Sequence, residues 1–230
     1  MIAITSIAPG HKNFENQLIA IESWKNAGYE VVSLNAPEEI ESLQGFTGVK
    51  FVSTQRHNKK IFGKPYVIVS AIIDYLKEIK SKHSLIINSD IIISDVGNYT
   101  QRLKDLSEEG VIIMNRLDYE EDITKAKIYE EGFDGFFINE KHLDSFPQTL
   151  LCLGQCHWDY WLPYTASVNG VKIIRSKEPY IFHKKHNAQY SKDNWIRTAT
   201  IFRAEIGMLK FQNVGQVTGM VYRHIKQHLV

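Results

Sequence analysis

Apolar residues in this chain recur with two alternating periods. Ile2–Ile7 is a β-rich run closed by Ala8-Pro9-Gly10. Phe14, Leu18, Ile21 and Trp24 then follow at three- and four-residue steps until Gly28, which marks a helix with one apolar face. Tyr29–Leu34 and Val49–Ser53 read as the second and third strands. A second helix is predicted from Pro65, a favoured first helical residue, with Ile68, Ile72, Leu76 and Ile79 on one side. Ser84–Ile93 is apolar except for Asn88-Ser89-Asp90, as expected of a central strand buried on both faces. A helix from about Val96 to Glu109 leads to a strand over Val111–Met114. Beyond it, Phe133–Ile138, Val171–Ile174 and Tyr180–Phe182 read as strands, and Trp158–Val168 as a helix stopped by Gly170. Two helices, near Asp193–Lys210 and Val214–Leu229, complete the chain. This alternation predicts a layered α/β domain.

Composition narrows the class. In 230 residues, 43% are apolar and 23% charged, enough to build one ordinary core. No run of about 18 apolar residues exists, so no transmembrane segment is expected. Met1–Ser6 lacks a basic head and reads as a strand, not a signal peptide. Cys152 and Cys156 stand four apart and suit no disulfide framework, so a reduced, cytoplasmic setting is the default expectation. Net charge is +1 but uneven. Residues 181–230 carry eight Lys/Arg against Asp193 and Glu205, a local +6. An anionic partner is one reading of this basic tail, and two solvated basic helices are the other.

Asp90 is the strongest chemical clue. A carboxylate inside Leu85–Ile93 costs several kcal/mol unless compensated. A divalent cation at a strand end opening into a cleft supplies that compensation, and oxygen ligands suit Mg²⁺ or Mn²⁺. Helix capping by Asp90 is the plainer reading. Arg56, Lys60 and Lys64 lie between the third strand and the second helix, where cations can meet an anionic ligand, with a solvated loop the plainer reading for Lys60. Arg116 follows a buried strand, and its guanidinium fork suits phosphate or sugar oxygens. Asp159 stands at a helix start, favoured by the dipole and directed either at a cleft or at capping. Asp134 is a candidate for an Asx-turn or for a ligand contact. His183-x-x-His186 alone is too few ligands for a zinc site.

Taken in order, these segments resemble the nucleotide-sugar glycosyltransferases of the GT-A fold. The likeness rests on Thr5-Ser6 ending the first strand, Gly63-Lys64-Pro65, and Asn88-Ser89-Asp90 in the place of an Asp-x-Asp motif. It extends through Asp134-Gly135-Phe136-Phe137, Trp158-Asp159-Tyr160-Trp161-Leu162 and His183-Lys184-Lys185-His186, covering about residues 1–187. The departure is Asn88 where many members carry Asp, leaving Asp90 as the charged ligand. The resemblance implies a mixed sheet flanked by helices over residues 1–190, with 191–230 as a basic helical extension packed on it. It implies sugar transfer from a nucleotide sugar held by Mn²⁺ or Mg²⁺ on Asp90, with His183 or His186 on the metal or the diphosphate.

The same resemblance makes Asp159 the general base or acceptor contact. Thr5, Ser6, Asn88, Trp158 and Lys184 join Arg56, Lys64, Arg116 and Asp134 as donor or substrate contacts. An acceptor in nucleic acid or a lipid-linked glycan fits the basic tail. For the glycan, the stripe Val214, Val217, Val221, Ile225 and Leu229 either rests on a membrane or packs on the domain. A nucleotidyltransferase is disfavoured because no Gly-rich loop follows the first strand. A nucleic-acid-binding module with a non-catalytic nucleotide-binding domain explains the tail but leaves Asp90, Asp134 and Asp159 without a role.

Overall fold

The computed structural model describes residues 1–10, 14–95, 98–176, 178, 180–186, 191–211 and 213–229. Its strands are β1 (Ile2–Thr5), β2 (Glu30–Asn35), β3 (Val49–Ser53), β4 (His83–Ile87), β5 (Ile91–Ile93), β6 (Gly110–Met114), β7 (Leu117–Tyr119), β8 (Lys127–Ile128), β9 (Gly135–Asn139), β10 (Lys172–Arg175) and β11 (Ile181–Lys184). The helices are α1 (Phe14–Asn26), α2 (Pro37–Ile40), α3 (Lys59–Phe62), α4 (Val69–Glu78), α5 (Tyr99–Ser107), α6 (Trp158–Val168), α7 (Lys192–Glu205) and α8 (Val214–Gln227).

Seven strands form the main sheet in the order β10-β6-β9-β4-β1-β2-β3. All pair in parallel except β9, which runs against both β4 and β6. A smaller sheet, β5-β11-β7-β8, stands beside it. Side chains alternate between two cores. Ile4, Val32, Ile86, Ile113 and Phe136 pack toward α4, α6 and α8. Ala3, Val31, Leu85, Ile87, Ile112 and Phe137 pack toward α1 and α5. Both faces of the central strands are therefore dry, as their apolar runs require.

The segment expected as one strand over Ser84–Ile93 is two. β4 leaves the main sheet at Ile87, Asn88-Ser89-Asp90 turn, and β5 enters the small sheet against β11. The anchoring of β5 explains the break. Trp24 on α1 donates its Nε1–H to the Ile91 carbonyl at 2.7 Å, and the Ile93 N–H donates to Ser23 at 2.9 Å. Three consecutive isoleucines look alike in either sheet, so periodicity alone could not separate them.

The helix expected from Pro65 begins instead at Val69. Val67 and Ile68 are extended and bridge His57 and Cys152, which takes their backbone groups away from a helix. Val96, the expected start of the next helix, lies outside the described residues, and α5 runs from Tyr99. The strands β7 and β8, three and two residues long, are too short to show a period and were not expected. On α8, Val217, Val221 and Ile225 are fully buried in the core that includes α6. That stripe packs on the domain and offers no membrane face. No helix among the described residues is long and apolar enough to cross a membrane.

Candidate active site

The main-sheet order puts β1 beside β4 while their connections run to opposite sides, and ligands of open α/β sheets bind at such a switch point beyond the strand ends. Asp90 stands there, in the turn after β4. β11 lies antiparallel to β5 with His183 opposite Ile91, which brings His183 and then His186 over the same turn. His186 Nε2 is 2.9 Å from Asp90 Oδ2 and 3.1 Å from His183 Nε2, and His183 Nε2 is 3.8 Å from Asp90 Oδ2.

Those separations can be tested against a cation. Ligand atoms about 2.1 Å from one ion, at tetrahedral or octahedral angles, lie about 3.0–3.4 Å apart. The Asp90, His183 and His186 atoms converge within 4.8 Å of one another, so two imidazole nitrogens and one carboxylate oxygen fit a single divalent ion. Burial alone would raise the Asp90 carboxyl, but the His186 hydrogen bond and both imidazoles hold it below the usual carboxylate range. Burial, helped by Arg116, holds His183 below the ordinary imidazole value despite Asp90. An anionic carboxylate beside a neutral imidazole is the protonation state a metal needs.

A second group of charges adjoins the first. Asp134, just before β9, is buried and accepts from Arg116 Nη1 at 3.1 and 3.2 Å and from Asn88 Nδ2 at 3.0 Å. Arg116 Nε also donates to Asp118 at 2.7 Å, and its guanidinium covers the Tyr129 ring at 4.3 Å. Burial raises Asp134, with Arg116 opposing it. Asp159, in the first turn of α6, is pushed up to about 7 by burial and then by Asp134, against backbone N–H groups of Asp159, Phe133 and Tyr160. A carboxyl poised near neutrality can accept a proton at working pH.

The wall beside Asp159 is the loop of Tyr129–Gly132. Asn115 Nδ2 donates to the Tyr129 and Gly132 carbonyls at 3.2 and 2.7 Å. Tyr222 on α8 and Tyr160 on α6 donate to the Glu130 and Glu131 carbonyls at 2.8 and 2.9 Å. A Cβ at Gly132 would sit 3.0 Å from Asp159 Oδ2, so glycine lets the backbone approach the carboxyl.

Other expected contacts fall differently. Thr5 Oγ1, at the end of β1, and Asn88 Oδ1 are buried without a hydrogen-bond partner among the described residues. Ser6 is half-buried beside Thr5, and Lys64 and Lys184 are exposed. Arg56 does not stand free for a diphosphate: it binds Asp74 on α4 at 2.6 Å, Ser70 at 3.1 Å and Gln148. Arg116 is likewise committed to two carboxylates. Trp158 is no sugar platform, because its ring is 2% exposed and packs edge-on to Phe136. Asp118, Asn115 and Gly132 went unselected in the sequence. Asn115 and Asp118 flank Arg116 in the Asn115-Arg116-Leu117-Asp118 segment beyond a buried strand, but nothing there gave them a role, and nothing pointed to Gly132.

Comparison with known proteins places this geometry in a wider setting. No family model matches the chain, and no curated protein matches it. Among solved structures, TarS of S. aureus superposes with a TM-score of 0.55 over 99% of this chain at 12% identity. The chain spans 43% of that TarS chain. A structure of TarS residues 1–349 gives 0.52 at 12% identity, covering 96% of this chain and 69% of that one. A looser likeness, TM-score 0.45 at 14% identity, covers 91% of this chain and 54% of the bifunctional IspDF from Campylobacter jejuni. The chain has a nucleotide-diphospho-sugar-transferase-like fold, a mixed seven-stranded sheet flanked by helices.

Proposed function

We propose that this chain is a metal-dependent glycosyltransferase that moves a sugar from a nucleotide sugar to an acceptor hydroxyl. The observation that carries it is the convergence of Asp90, His183 and His186, with Asn88 in the same turn bonded to Asp134, whose charge, after burial, helps push the Asp159 carboxyl up to about 7. A nucleoside diphosphate leaving group needs its charge neutralised, and a hydroxyl acceptor needs a base. The two clusters answer those two needs.

Two nitrogen donors with one carboxylate suit Mn²⁺ better than Mg²⁺, which prefers oxygen ligands. Bound there, the ion would stabilise negative charge on the diphosphate. Asp90, His183 and His186 would hold it, and Lys184, exposed next to His183, would add positive charge. Thr5 Oγ1 and Asn88 Oδ1 are buried polar atoms left without a hydrogen-bond partner among the described residues beside this cluster. Asp159 accepts the acceptor's proton as its oxygen attacks the anomeric carbon and the carbon–oxygen bond to the diphosphate breaks. Arg116 is paired with Asp134, whereas no cation pairs with Asp159 among the described residues.

A panel of nucleotide sugars screened by thermal shift, with and without Mn²⁺, tests this reading. At least one donor should raise Tm only when Mn²⁺ is present. A panel with no metal-dependent shift would count against sugar transfer.

A further inference from the structure

His183 can serve the cation only if Nε2 carries a lone pair, and that depends on where its one ring proton sits. Strands β7 and β11 run parallel with His183 directly opposite Asp118. Asp118 Oδ1 lies 3.0 Å from His183 Nδ1, and the same oxygen accepts from Arg116 Nε at 2.7 Å. Both Asp118 and His183 are largely buried, with side chains 14% and 8% exposed, so water offers little alternative partner. A carboxylate is acceptor-only, so the ring proton is drawn to Nδ1 and the Nε2 lone pair faces Asp90 and His186.

We propose that Asp118 is a positioning residue that fixes the Nδ1–H tautomer and ring orientation of His183, making Nε2 a metal ligand. The inference rests on the reading of Asp90, His183 and His186 as the ligand set. Carboxylate–histidine–metal arrangements are a general device, and losing the outer partner typically costs about 10–100-fold in metal affinity. Arg116 anchors the arrangement. It fixes Asp118 from one side and Asp134 from the other, so the ligand cluster and the Asp134–Asp159 cluster share one rigid support.

The test uses the full chain. In metal-free ¹⁵N-labelled protein at pH 8, long-range histidine spectra read the tautomer directly. The wild type should show His183 as Nδ1–H. Asp118→Ala should convert it to Nε2–H and weaken Mn²⁺ binding about 10–100-fold, read from the resonance of free Mn²⁺. Asp118→Asn keeps an oxygen acceptor and should fall between, and it replaces the alanine variant if that chain does not fold. Retention of Nδ1–H in Asp118→Ala, or Mn²⁺ affinity within about threefold of wild type, would overturn the proposal. A wild type that holds Nδ1–H and binds Mn²⁺ but no nucleotide sugar would instead refute sugar transfer and leave Asp118 its role.

Discussion

Asp159→Asn should make this protein more stable above neutral pH while removing its proposed catalytic base. In the free chain the carboxyl titrates near 3.8, and in the fold it is pushed up to about 7 by burial and Asp134. Because the folded value is the higher one, stability is fully present below pH 3.8 and is lost progressively as pH rises through 7. At about 1.4 kcal/mol per tenfold change in proton affinity, the ceiling on that loss is ~4 kcal/mol. Water and side-chain rearrangement around a partly accessible carboxyl bring the expected value to ~2 kcal/mol.

Asparagine keeps an oxygen for the N–H groups of Phe133 and Tyr160 and cannot ionise. Urea unfolding of both proteins at pH 5 and pH 8 measures the difference. The advantage of the variant should widen between the two by ~1–3 kcal/mol. Meanwhile transfer should fall about 100-fold or more, the scale of a lost general base. A stability difference that is flat with pH would refute the claim that Asp159 is held protonated by its surroundings.

Gly132→Ala places a Cβ 3.0 Å from Asp159 Oδ2, so it should displace the carboxyl. Turnover should drop about tenfold while urea unfolding changes by less than ~2 kcal/mol; unchanged turnover would show that the loop does not position Asp159. Gly110→Ala, at the start of β6, clashes with the Lys172 backbone carbonyl and should destabilise by ~2 kcal/mol or more without a specific effect on metal binding, checked by thermal shift with Mn²⁺. Lys210, Arg223 and Lys226 are exposed on the +6 tail. Neutralising them should weaken binding to single-stranded DNA or anionic vesicles, with affinity falling steeply as salt rises. Salt-insensitive wild-type binding to both would point to a neutral glycan acceptor.

Much of the fold was legible because burial on two faces writes a plain signal. The runs around Ile4, Ile86 and Ile112 are apolar throughout, and α1, α6 and α8 carry their stripes at helical spacing. The Asn88–Asp90 break was misread as strand because both sides are isoleucine, and β5 is drawn out of the main sheet by its pairing with β11 and by Trp24 and Ser23 on α1. At the site, Asp90 was legible as a charge without an apolar excuse. His186 joining His183 was left open, since it depends on how β11 continues past its pairing with β5. The role of Asp118 was invisible, because it arises from a strand register with a residue 65 positions away. Arg56 and Arg116 were assigned outward because a sequence does not reveal that Asp74, Asp118 and Asp134 neutralise them first.

Release of nucleoside diphosphate from whichever nucleotide sugar binds best, with water or added acceptor as the second substrate, tests the central claim most directly. Wild-type protein should release it only with Mn²⁺, Asp159→Asn should bind the donor within a few-fold but turn it over about 100-fold more slowly, and Asp90→Ala should do neither. Metal-independent release, or release by Asp90→Ala at the wild-type rate, would contradict a donor held through Asp90, His183 and His186.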